Sequence, residues 1–151
     1  MSDRDYTAVF WVDQPAEKAF EAINNVRKWW SEEIEGDTDR VDQEWTYHYK
    51  DVHQCRMKIT ELIPGRKVEW LVLENDFNFA SDKNEWKGTR IVFAISRRDI
   101  KTEVRFTHVG LSPKCECYNV CSHAWGFYIN GSLRSLIVSG KGQPNPKDKE
   151  K

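Results

Sequence analysis

The sequence predicts an α+β domain in which a curved antiparallel sheet of about six strands wraps around one long C-terminal helix, with two short helices after the first strand. Three observations lead there. Six short runs between residues 6 and 108 alternate large apolar with polar or smaller residues, the period-two pattern of half-buried strands. Turn signals separate several of the runs at hairpin spacing. No proline interrupts the chain between Pro113 and Pro144, which leaves room for a single long helix.

Residues 6–12 open with a β-rich run that stops at Asp13. Asp13, Pro15 and Glu17 are helix-start signals, and a short helix is expected through Ala19, Phe20 and Ile23. A second short helix is expected over residues 26–34. It carries Trp29 and Trp30, which as helical neighbours cannot both face inward, so one covers the mouth of a pocket or packs on a loop. Trp45, Tyr47 and Tyr49 then share one face of a strand, and Cys55, Met57 and Ile59 share one face of the next. Pro64 and Gly65 suit the central positions of a type II turn, after which Val68, Trp70 and Val72 continue the meander. Residues 74–88 read as a long loop with apolar content, at Phe77, Phe79 and Trp86, of the kind that forms lids. Ile91, Phe93 and Ile95 form a strand, Arg98 and Asp99 mark a hairpin, and Val104, Phe106 and His108 line one face of the last strand. Ser112 and Pro113 start the long helix, expected over residues 113–139 and closed by Gly140. Its apolar stripe is predicted as Tyr118, Ser122, Trp125, Ile129, Leu133 and Leu136.

The chain has 151 residues, 39% of them hydrophobic and 31% charged, in the range of one globular domain. Residues 1–142 are assigned to that domain and residues 143–151 to a disordered polar tail. A formal net charge of −1 provides no field to hold a phosphate backbone, so nucleic acid is not an expected partner. There is no membrane span and no apolar leader, and four cysteines are too few and too clustered for a disulfide framework. A cytoplasmic location follows as an expectation.

The segments IPGRKVEW (63–70), EWKGTRIVF (85–93), TEVRFTHVGL (102–111) and the helix from Glu116 through Gly126, with Ser132 and Leu133, resemble one branch of a known superfamily. That superfamily contains START domains, polyketide cyclases and the birch pollen allergen (SRPBCC). The branch is named after the activator of the heat-shock-protein-90 ATPase. The resemblance spans nearly the whole chain. It implies the helix-grip, or START-like, fold and a cavity between sheet and helix. The activator also has a separate N-terminal chaperone-binding domain, for which no counterpart is expected in these 151 residues.

Thirteen per cent of the residues are aromatic, and such side chains line either a core or a roomy pocket. The candidate ligand-binding residues are Trp45, Tyr47, Tyr49, Trp70, His108 and Trp125, with the loop between Phe77 and Trp86 near the mouth. His108 is either an acid or base or a hydrogen-bonded histidine at a strand end. The tyrosines can serve as core while their hydroxyls orient a ligand. Cys115, Cys117, Cys121 and His123 superficially suggest zinc, but residues two apart on a helix diverge by roughly 200°, so no metal is expected. No cofactor is implied. The expected partner is a small hydrophobic or amphipathic molecule. An enzyme of the cyclase or hydrolase type, using His108 with Tyr47 or Tyr49 in the same cavity, is the first alternative. A chaperone-associated interaction domain is the second. Val120 and Phe127, on the outer side of the helix, point to a neighbouring loop or to a homodimer contact.

Overall fold

The computed structural model describes residues 5–49, 53–77, 86–112 and 118–145. Strand β1 (Tyr6–Val12) leads into helix α1 (Ala16–Asn24), a 3-10 turn (Val26–Lys28) and a three-residue strand β2 (Ile34–Gly36). Then come β3 (Glu44–Tyr49), β4 (His53–Ile63), β5 (Lys67–Phe77), β6 (Arg90–Arg98) and β7 (Lys101–Val109). The strands form one sheet in the order β1-β7-β6-β5-β4-β3-β2, and every pairing is antiparallel. The first strand lies beside the last, with Tyr6 opposite His108 and Val12 opposite Thr102.

The predicted α+β class and helix-grip arrangement hold, with seven strands in place of six. The added strand, β2, pairs Ile34 with Tyr47 and Gly36 with Trp45. Three residues are too few to display an alternation, so the run read as helical. Gly36 sits at φ +106, and a Cβ there would lie 2.6 Å from the Glu44 carbonyl oxygen, which is why this close strand approach uses glycine.

The expected second helix shrinks to the 3-10 turn, and this overturns the argument about its tryptophans. Trp29 is 0% and Trp30 1% exposed. Once the chain leaves the helical path, adjacent side chains need not diverge, and the two indoles stack with centroids 6.1 Å apart. A second boundary also moves. Residues 74–77, read as the start of the loop, continue β5, where Glu74, Asn75 and Asp76 pair with Arg56, Cys55 and Gln54. Residues 78–85, the body of that loop, lie outside the described residues.

The hairpins follow their turn chemistry. Gly65 has φ +72 behind Pro64, and the Arg66 N–H bonds the Ile63 carbonyl at 2.8 Å, as a type II turn requires. Asp99 carries φ +55 between Arg98 and Lys101.

The C-terminal helix comprises α2 (Tyr118–Gly126), a π-helical stretch (Phe127–Leu133) and α3 (Arg134–Ser139). It is unbroken, since the junctions at Gly126 and Leu133 keep helical angles of −56°, −45° and −64°, −45°. Gly140, at φ +84, ends it. The expected first turn, with Pro113, Cys115 and Cys117, lies outside the described residues. The buried stripe is Cys121, Trp125, Ile129, Leu133 and Ile137, spaced by four throughout. In a plain α-helix that spacing drifts around the axis. The wider turns of the π-helical stretch keep it facing the sheet, which moves burial from Leu136 to Ile137.

Residues 143–145, the start of the expected tail, are hydrogen-bonded to the domain. Asn145 forms a parallel bridge to Ser31, donating to the Trp30 carbonyl (2.9 Å) and accepting from the Glu32 N–H (2.8 Å). The buried Ser132 hydroxyl donates to the Trp29 carbonyl at 2.7 Å and accepts the Gln143 N–H at 2.6 Å. Residues 143–145 are therefore a strap across the turn that holds the two tryptophans.

Candidate ligand-binding site

Where α2 faces the end of β3 and the start of β4, the sheet and the helix do not meet fully. They leave a cavity of about 130 Å³. Tyr47, Tyr49 and His53 reach it from the sheet, Trp30 from the turn before β2, and Trp86 from the segment before β6. The helix supplies Val120, Cys121, Ala124, Trp125 and Tyr128. Trp30 stacks on Tyr47 at 4.2 Å and meets Trp125 at 4.9 Å. Trp86 lies nearly parallel to Trp125 at 5.6 Å. The walls are thus ring faces braced against one another.

Two buried histidines, His53 and His108, each pack edge to face on Trp86 at 4.7 Å. The Trp125 indole N–H donates to Nδ1 of His108 at 3.1 Å. An indole nitrogen is a donor only, so Nδ1 is the acceptor and Nε2 carries the proton. Nε2 in turn meets the Thr89 hydroxyl at 2.8 Å, and Thr89 donates to the Trp86 carbonyl at 2.5 Å. Burial, aided by the proximity of His53, depresses the His108 pKa to about 3. His53 donates from Nε2 to Asn75 Oδ1 at 2.7 Å, and burial lowers its pKa to about 4 despite that bond. Both rings are neutral at ordinary pH.

Polar atoms gather at the strap end of the cavity. Asn145 Nδ2 donates to the Tyr128 hydroxyl at 2.7 Å and reaches the Tyr47 hydroxyl at 3.5 Å. Burial first, then the neighbouring Tyr128, pushes the Tyr47 phenol well above its ordinary pKa, so it stays protonated. The Trp30 indole nitrogen is buried beside the Tyr47 hydroxyl.

Of the six residues proposed from sequence, Tyr47, Tyr49 and Trp125 border the cavity. Trp45 and Trp70 do not. They are 1% and 0% exposed and pack edge to face on each other at 4.9 Å, with Trp70 also against Phe93 at 5.2 Å. They belong to the core behind the wall. His108 is enclosed as well, both its ring nitrogens being spent within the protein, which removes the free lone pair an acid or base would use. Sequence reasoning missed His53, Cys121, Ala124, Tyr128 and Asn145, while Trp86 closes the loop that was expected near the mouth. Tyr128, three residues beyond Trp125, was the one with a readable signal.

A larger groove of about 540 Å³ runs beside β2–β5, bordered by Glu33, Glu35, Glu74, Asp76, Arg56 and Lys87 among others. Arg56 there is already paired with Glu44 and with Glu74, the latter at 2.8 Å, the ordinary state of a solvated charged face. Among the described residues no group of three or more His, Cys, Asp or Glu side chains is placed to hold a metal ion. No helix among them is long and apolar enough to cross a membrane.

An antiparallel sheet gripping a C-terminal helix is the arrangement of the helix-grip, or START-like, fold. No family model and no curated protein matches the chain in sequence. In structure it is similar to the Aha1 dimer from Colwellia psychrerythraea, with 24% identity and a TM-score of 0.74 over 92% of this chain and 99% of that one. It is also similar to SSP2350 from Staphylococcus saprophyticus, at 14% identity and TM-score 0.68 over 93% and 96%. A third neighbour, CalU16 from Micromonospora echinospora, has 12% identity and TM-score 0.61 over 88% and 74%. The resemblance read from sequence motifs thus has its counterpart in three dimensions, as a shared fold.

Proposed function

We propose that this domain binds a small apolar or amphipathic molecule between its sheet and its C-terminal helix. The observation that supports this is the aromatic cavity of about 130 Å³ with its polar atoms at one end, the composition of a small-molecule site. Tyr47, Tyr49 and Trp125 are the contact residues, while Trp45, Trp70 and His108 keep the wall in place. The enzymatic alternative loses His108 as a proton-transfer candidate, because its nitrogens serve Trp125 and Thr89, and is left with Tyr47 and Tyr49.

Mass spectrometry of small molecules extracted from purified protein tests the reading, together with titration of any identified compound. Ala124→Phe fills the hollow from the half-buried helix face. It should abolish retention of the compound while the melting temperature stays near wild type. Retention by the filled variant would rule the cavity out as the site.

The exposed part of the helix around Phe127, 51% accessible, is the surface through which two copies would meet, whereas Val120, the other residue expected there, borders the cavity. The structural neighbour described as a dimer agrees with this reading. Sedimentation analysis of wild type against Phe127→Lys tests it, and an unchanged monomer mass in both would end it.

A further inference from the structure

The two edges of the sheet are not alike. At one, β2 is three residues long with Glu35 at its centre, short and charged as sheet edges usually are. At the other, β1 presents seven residues, YTAVFWV, without a charge, a proline or a glycine. Its register with β7 is unbroken from Tyr6 to Val12, so no bulge turns the edge aside. That is roughly 23 Å of open edge at the usual rise of a strand.

In an antiparallel ladder each residue turns its N–H and C=O to the same side, and successive residues alternate sides. The Tyr6 N–H bonds the Leu111 carbonyl, just past β7, at 2.7 Å, so Tyr6, Ala8, Phe10 and Val12 face β7. Thr7, Val9 and Trp11 therefore aim their N–H and C=O groups away from the sheet, where they have no partner among the described residues. Their side chains stand on the outer face, Val9 37% and Trp11 39% exposed. Such a row is a template for one further strand.

Charge and side-chain pairing say which strand fits. A second β1 can meet the first antiparallel about a two-fold axis at Val9 or at Phe10. The axis at Val9 sets Asp5 against Asp13 of the second copy at both ends, like charges directly opposite. The axis at Phe10 sets Asp13 against Thr7 and Val9 against Trp11, each twice, which pairs aromatic with β-branched side chains. We propose that β1 is the interface for a second copy of this chain, the two strands pairing about an axis at Phe10 so that the sheets run into one. The contact is separate from the helix face around Phe127, so either can be removed without the other. Two strands and four outer side chains make a small interface, and the association is reversible.

Sedimentation and amide exchange of the full-length protein, dilute and concentrated, test this. The Thr7, Val9 and Trp11 amides should exchange quickly in dilute solution and gain protection on concentration, in wild type and in Phe127→Lys alike. Val9→Glu and Trp11→Lys suit the monomer, because these positions face Arg105 and Glu103 on β7. Each alone should weaken association by about tenfold. An equimolar mixture of the two variants should restore it, since the axis at Phe10 sets the new carboxylate against the new ammonium. Association that leaves the three amides unprotected overturns the inference and, where Phe127→Lys abolishes that association, leaves the helix-face contact standing. A mixture that associates no better than its parts overturns the pairing about Phe10. Protection of the three amides in a monomer purified with a foreign peptide overturns the inference in favour of strand capture from another protein. A bare monomer at every concentration ends both this inference and the helix-face contact.

Discussion

The imidazole of His108 receives a proton donor on one nitrogen and offers its own proton from the other, so its neutral form is the only one the site accommodates. Replacing Trp125 by Phe preserves most of the ring but leaves Nδ1 buried without a donor. That should cost about 1–3 kcal/mol, read as a lower urea midpoint with unchanged slope. The two buried histidines also set a pH dependence. Their folded pKa values, about 4 for His53 and about 3 for His108, lie below the ordinary 6.5. Below pH 6.5 the unfolded chain therefore takes up protons that the folded protein refuses. Stability is full above that pH and falls as the pH drops toward 4 and 3. At about 1.4 kcal/mol per unit, each histidine accounts for about 2 kcal/mol between pH 7.5 and pH 5. Urea unfolding across that interval, where most carboxylates are still ionised, should show the decline, and a flat profile would mean that the rings accept protons in place. At this scale the sequence was partly legible. The alternation of Val104, Phe106 and His108 placed the histidine on the inner face. Its partners Thr89 and Trp125 are joined to it only by the fold, so the choice between a catalytic and a structural role was not available from the string.

Among the elements, the turn and strap around Trp29 and Trp30 carry the most concentrated set of constraints. Ser132 joins three segments by one hydroxyl. Ser132→Ala leaves the Trp29 carbonyl and the Gln143 N–H unpaired and should cost about 2 kcal/mol or more. Gly142 permits the crossing, since a Cβ there would stand 2.2 Å from the Lys28 carbonyl oxygen. Gly142→Ala should unseat the strap, seen as loss of amide protection at Asn145 and Glu32 while the sheet amides stay protected. The long strands and the Gly140 terminus were readable because periodicity and glycine conformation are local properties. The strap was not, because Pro144 and its charged neighbours have the composition of a solvated tail, and its contacts with Trp30, Glu32, Tyr128 and Ser132 exist only in the fold. The π-helical stretch escaped for a similar reason: four-residue spacing from Cys121 to Ile137 resembles an imperfect α-helical stripe until the sheet is there to receive it.

In the molecule as a whole, the sheet is completed by pairing its first strand with its last. Every other neighbouring pair of strands is consecutive in sequence, so β1 alone must wait for a partner from the far end of the chain, and its loop-closure cost is the largest. Phe10→Ala, which empties a buried position on β1, should therefore accelerate unfolding much more than it slows folding. Stopped-flow kinetics giving the opposite division would mean that β1 is already docked in the transition state.

The contacts among the tryptophans extend further than any of these single sites. Trp30 touches Trp29, Trp45, Trp70 and Trp125 at 4.9–6.3 Å, and Trp125 continues the series to Trp86 at 5.6 Å. Trp11, 39% exposed on the outer face of β1, stands apart. At these separations the transition dipoles of the six clustered indoles couple, and an excitation placed on one passes to the others before it is emitted. The folded protein thus contains two optical species, one delocalised chromophore inside the grip and one solvated indole outside it. Its near-ultraviolet circular dichroism should carry a coupled signal from the cluster that disappears when side-chain packing loosens, even where the backbone keeps its secondary structure.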